Sequence, residues 1–149
     1  MSDERFLGTW KLVSVVQKFP DGKVSKPFAE HPLGYISYMP DGFMYAILMK
    51  SGGHPVGVPP ALTKRLLISW RYIKAGIRYV KAMTSFLSYC GTYEVRGNTV
   101  LHNVKAAMVP DWIGTDLKRE FVFSGNMLTL TARDDAGTMM DLAWERVSR

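Results

Sequence analysis

Cys90-Gly91-Thr92-Tyr93-Glu94-Val95-Arg96-Gly97-Asn98-Thr99-Val100-Leu101-His102-Asn103-Val104-Lys105-Ala106 holds two runs rich in β-branched and aromatic residues, split by a Gly-Asn pair. A two-residue loop of that composition accepts the positive φ angles that hairpin turns need, so the flanking runs read as antiparallel strands. The same punctuation recurs at Pro20-Asp21-Gly22, Pro40-Asp41-Gly42, Gly125-Asn126 and Asp134 to Gly137. Working outward, the pattern predicts strands at Gly8–Gln17, Gly34–Met39, Gly42–Met49, Cys90–Arg96, Thr99–Ala106, Leu117–Phe123, Met127–Ala132 and Met139–Val147. Eight strands joined mostly by tight turns point to an all-β fold, an antiparallel up-and-down barrel, because closure removes exposed strand edges. A barrel of eight strands is either filled by side chains or holds one small ligand.

One segment breaks this rhythm. From about Pro60 to Leu87, Leu62, Leu66, Trp70, Ile73, Ile77, Val80 and Phe86 recur at three- and four-residue steps, which predicts a helical insertion between the third and fourth strands. Its apolar face needs burial, so it is expected to lie across the barrel opening with Trp70, Ile73 and Ile77 inward. Lys64, Arg71, Lys74, Arg78 and Lys81 fall on the other side.

Composition bounds the remaining choices. A chain of 149 residues suits one domain, here 1–149, and needs no disulfide to be stable. The single cysteine, Cys90, fits a reducing compartment, and no apolar signal core follows Met1-Ser2-Asp3-Glu4-Arg5, so a cytoplasmic location is expected. The net charge of +6 is concentrated: no Asp or Glu occurs between Gly42 and Tyr93, a stretch that carries Lys50, Lys64, Arg65, Arg71, Lys74, Arg78 and Lys81. Basicity confined to one segment is a weak sign of nucleic-acid binding, and none is expected. It permits a solvated face, steering of an acidic ligand, or contact with a membrane surface.

Gly8-Thr9-Trp10 in the first strand and Trp144-Glu145-Arg146 in the last resemble the Gly-x-Trp motif and closing arginine of lipocalins. Gly91-Thr92-Tyr93-Glu94-Val95, then His102, then Pro110-Asp111-Trp112-Ile113-Gly114-Thr115 is similar to the lipocalin-like domain family of bacteria and fungi. The likeness runs from Leu7 to Arg146. It implies an eight-stranded barrel with a hydrophobic ligand, and some similar proteins of natural-product pathways act as cyclases or isomerases. It further implies that Arg146 covers Trp10 at the closed end. The cationic stretch from Lys64 to Lys81 departs from what the family leads one to expect.

Strand alternation sorts the polar candidates. His102 is in phase with Val100 and Val104, and Arg119 with Leu117, Phe121 and Phe123, so both are expected to point inward as candidate catalytic residues. A buried Arg keeps its proton and needs an acceptor, either Glu94, Asp141 or an oxygen of the ligand. His102 reads as a structural hydrogen-bond partner or as a general acid/base. Tyr38, Tyr45, Trp70, Tyr93, Trp112 and Phe121 are the expected ligand-binding walls. Cys90 reads as a small apolar filler. His31, His54 and His102 lack metal-ligand spacing, no nucleotide loop or nucleophile elbow occurs, and so neither metal nor cofactor is expected. The leading expectation is a binding protein for a small, largely apolar molecule, with a carbonyl- or carboxylate-bearing one among the candidates. The alternative is a cofactor-free isomerase or cyclase using His102 and Arg119.

Overall fold

The computed structural model describes residues 3–52, 76–80 and 83–148. Strands β1 (Gly8–Lys18), β2 (Val24–Ser25), β3 (Leu33–Tyr38), β4 (Phe43–Met49), β5 (Phe86–Arg96), β6 (Thr99–Ala107), β7 (Asp116–Ser124), β8 (Met127–Arg133) and β9 (Met139–Ser148) follow in order. From β3 onward each pairs antiparallel with the next; β1 pairs with β3 on one side and β9 on the other, which closes the sheet. The two-residue β2 folds back on the end of β1, through Gln17 opposite Ser25, so the barrel wall is the eight longer strands. Lys18 and Asp141 bridge the β1–β9 seam at 2.7 Å, but both are solvent-accessible. An exposed pair of this kind contributes at most about 1 kcal/mol, so the ladder and the core hold the seam.

The turns at 39–42, 97–98 and 125–126 lie at one end, with the residues before β1. Gly97 and Gly125 take positive φ (60° and 58°), as two-residue hairpin turns require. The other end carries the longer connections, 19–32, 50–85, 108–115 and 134–138. The first end is sealed by aromatics. Phe6 packs edge-on against Tyr38, Phe121 and Phe123 at centroid distances of 4.9, 4.8 and 5.0 Å. Trp10 is fully buried, its indole N–H donating to the Phe6 carbonyl at 2.8 Å. The Arg146 guanidinium lies 3.9 Å from the Trp10 ring centroid, well inside the cation–π range of about 6 Å. Its Nη1 donates to the Leu7 carbonyl at 2.7 Å, tying the last strand to the residues before the first.

Three expectations need correction. Residues 76–80 are helical, but all five are exposed and Ile77 retains 55% of its surface, so Ile77 does not cover the opening. Trp70, Ile73 and most of the expected insertion lie outside the described residues. Phe86 and Leu87 belong to β5, not to a helix, because they pair with Met49 and Leu48 of β4. Cys90 is exposed rather than a core filler, since Tyr89 and Gly91 take the inward positions on either side of it.

Candidate functional site

The barrel is filled below and hollow above. A cavity of about 350 Å³ opens among the longer connections. Its walls are apolar: Ile36, Leu48, Leu87, Leu130, Leu142 and Trp144 line it, with Phe28 and Trp112 from the loops at the mouth. Strand alternation explains the inward set, for example Met44, Ala46 and Leu48 buried on β4. Trp112 is carried by a single 3-10 turn, Pro110–Trp112, which brings its ring edge-on to Tyr89 at 5.9 Å. The rim is polar and internally satisfied. Gln17 accepts from Ser25, Asp134 accepts the Thr138 backbone N–H, and Arg133 pairs with Glu120.

Arg119 lines the cavity, half-buried, as its phase on β7 predicts. Neither expected carboxylate reaches it: Glu94 pairs with Arg96 at 2.8 Å, and Asp141 is held by Lys18 and by the Thr131 hydroxyl, both at 2.7 Å. Among the described residues Arg119 has no ion-pair partner; its Nη1 donates to the Lys118 carbonyl at 2.9 Å.

His102 is fully buried and points inward, but it does not line the cavity. Tyr89 stands in front of it, its hydroxyl 2.9 Å from Nδ1, and the Tyr38 hydroxyl lies 2.9 Å from Nε2 behind. Arg119 stands near the row, close enough for its positive charge to act on both the Tyr89 phenol and His102. Burial, with the charge of Arg119 second, pushes the His102 imidazole pKa from 6.5 down to about 3. The ring is therefore neutral near neutrality.

That shift has a measurable sign. Unfolded, the imidazole takes a proton near pH 6.5; folded, it does so only near 3. The unfolded chain binds more protons between these values, so stability falls as pH drops through the window, by up to about 1.4 kcal/mol per unit. The urea midpoint should decline from about pH 6.5 toward about pH 5, before most carboxylates titrate. His102→Gln should flatten that decline; an unchanged slope in the variant would contradict a buried neutral imidazole.

The other expected residues divide by position. Tyr38 is buried and reaches the site only through His102. Tyr93 and Phe121 pack on Phe6 in the sealed end, and the Tyr93 hydroxyl donates to the Met39 carbonyl at 3.3 Å, so neither lines the cavity. Tyr45 projects from the outer face of β4, on the same side as exposed Phe43 and Ile47, because Met44, Ala46 and Leu48 take the interior. Trp112 is at the mouth, and Trp70 is outside the described residues. Tyr89 and Trp144 were missed as site residues; extending the alternation Tyr89, Gly91, Tyr93 one step back from Cys90 was the signal for the first.

No group of three or more metal-ligating side chains occurs among the described residues. No curated protein sequence matches the chain. Among solved structures it is similar to an uncharacterised protein from Bacteroides eggerthii at 13% identity, with 95% of this chain and 99% of that one covered and a TM-score of 0.46. It is similar to a de novo designed fluorescence-activating β-barrel at 13% identity, over 99% and 100% of the two chains, with a TM-score of 0.43. A mutant of the fluorescent protein UnaG matches at 13% identity over 97% of each chain, with a TM-score of 0.41. In sequence, the model of the lipocalin-like domain family matches residues 7–147. With that match over nearly its whole length, on the eight-stranded closed barrel described above, the chain belongs to the lipocalin-like domain family.

Proposed function

We propose that the protein binds a small, largely apolar molecule bearing a carbonyl or carboxylate inside the barrel. One observation carries this reading: an apolar cavity of about 350 Å³, sealed at one end, with Arg119 in its wall and no carboxylate paired to it among the described residues. A pocket of that size with few polar groups is the usual form of a small-molecule site. Each 100 Å² of apolar ligand surface buried supplies roughly 2.5 kcal/mol, and a hydrogen bond to the charged Arg119 adds about 1.5–3 kcal/mol. The exposed thiol of Cys90 supports a reducing, cytoplasmic setting.

A cofactor-free isomerase or cyclase is the second reading. It draws on the same Arg119 to polarise a carbonyl, but an imidazole sealed behind Tyr89 has no route to a substrate carbon. A membrane-surface role rests on residues 60–87, most of which lie outside the described set. The test uses two probes of one shape, phenylbutyrate and butylbenzene, titrated into the wild type and Arg119→Met. Phenylbutyrate should weaken about ten-fold or more in the variant, and butylbenzene by no more than about two-fold. Equal weakening of both, with the fold intact, would make Arg119 structural.

A further inference from the structure

Gln17, Arg133, Asp134 and Thr138 line the cavity at its rim; deeper in, the polar side chains among the described lining residues all carry donors. Arg119 offers guanidinium N–H groups. Trp144 has a buried indole N–H with no acceptor among the described residues. The third group is the Tyr89 hydroxyl, and its direction is decided behind the wall.

A neutral imidazole has one N–H and one bare nitrogen, so only two arrangements connect Tyr89, His102 and Tyr38. In one, Tyr89 donates to Nδ1 and Nε2–H donates to Tyr38. The Tyr38 proton is then orphaned, because among the described residues His102 is the sole partner of that hydroxyl and the residue is 1% exposed. Buried donors are rarely left so. In the other, Tyr38 donates to Nε2 and Nδ1–H donates to Tyr89. Every buried group of the Tyr38–His102–Tyr89 row is then satisfied, and the one proton of the row left over is that of Tyr89, which lines the cavity. In that arrangement the Tyr89 oxygen accepts from His102 and lies near the Arg119 charge, so its own proton turns to the ligand.

We propose that Tyr89 is the hydrogen-bond donor of the cavity, that Tyr38 and His102 are positioning residues fixing the direction of its proton, and that the ligand meets Tyr89 and Arg119 with a carboxylate. This deepens, and rests on, the binding reading. Two adjacent donors, one cationic and without a counter-ion among the described residues, match the two oxygens and the charge of a carboxylate. The depressed basicity of His102 is consistent, since a protonated ring would donate from both nitrogens and leave Tyr38 without an acceptor. Burial also pushes the Tyr89 phenol up, which keeps its proton in place.

The first test needs no ligand. Long-range proton–nitrogen correlation spectra of the histidine-labelled protein should show His102 protonated at Nδ1 and bare at Nε2; the reverse tautomer overturns the proposal, because the Tyr89 proton would then be committed to His102. The second compares Tyr89→Phe with wild type. Phenylbutyrate should weaken about ten-fold, benzylacetone (a neutral ketone of the same shape) should bind the wild type more weakly than phenylbutyrate, and butylbenzene should bind both proteins within about two-fold. Equal weakening of phenylbutyrate and butylbenzene in Tyr89→Phe overturns the donor role and leaves the cavity reading standing. A ketone as strong as the acid overturns the carboxylate. Failure of all three probes to bind the folded wild type overturns the binding reading, and this one with it.

Discussion

Gly91→Ala is expected to abolish the folded barrel. A Cβ at this position would stand 1.9 Å from the Asn103 carbonyl oxygen, 2.9 Å from its carbon and 3.0 Å from the Lys105 nitrogen. All three are backbone atoms, so no side-chain rotation relieves the clash. The approach is close because the β5–β6 register shifts between Cys90 and Gly91, leaving Lys105 as the extra residue of a bulge. Val104, opposite Gly91, is tied on its other side: its N–H donates to the Thr115 carbonyl and its own carbonyl accepts from Gly114, both at 2.9 Å. Relief would require the two strands to part at the middle of the closed wall. That cost is several kcal/mol, against a total stability of about 5–15 kcal/mol. Circular dichroism and urea unfolding should find little folded Gly91→Ala. Gly76→Ala, where an added Cβ meets nothing within 4 Å, is the matched control and should unfold as the wild type does. Near-native stability of Gly91→Ala would contradict the bulge.

Trp10→Ala is expected to cost about 3–5 kcal/mol, the usual range for deleting a large buried aromatic. The indole is fully buried, packs 5.8 Å from Phe123 and donates to the Phe6 carbonyl. Its loss also uncovers Arg146, whose guanidinium rests on the ring. Arg146→Met keeps the ring packed while removing, among other contacts, the cation–π contact and the donations to the Leu7 and Arg5 carbonyls, so it should cost less, about 1–3 kcal/mol. Chemical denaturation of the two variants gives the order. An Arg146 variant less stable than Trp10→Ala would mean that the arginine, not the indole, organises the sealed end.

The barrel was legible because its turns and its alternation agree. On β6, Val100, His102 and Val104 are inward as their phase requires. On β4 the same logic had nothing to hold: Phe43 to Met49 is apolar at every position, so period two cannot say which face is inside, and Tyr45 was placed on the wrong one. The start of β5 was read as the end of a helix because Phe86 fits a three- and four-residue spacing; ladder pairing with β4 overrides that local periodicity. This error hid Leu87 and Tyr89, both on the cavity wall. The pairing of Trp10 with Arg146 was readable from motifs at the chain ends. The Tyr38–His102–Tyr89 row was not, because it joins three strands through side-chain geometry that no single strand encodes.

The central claim is that the upper barrel takes an apolar molecule. Methyl-resolved NMR of the wild type titrated with butylbenzene tests it most directly. The expected result is a saturable shift confined to Ile36, Leu48, Leu87, Leu130 and Leu142, which line the cavity. Shifts centred on exposed Ile77, Val80, Ile113 and Val122, or none at the solubility limit of the probe, would contradict it.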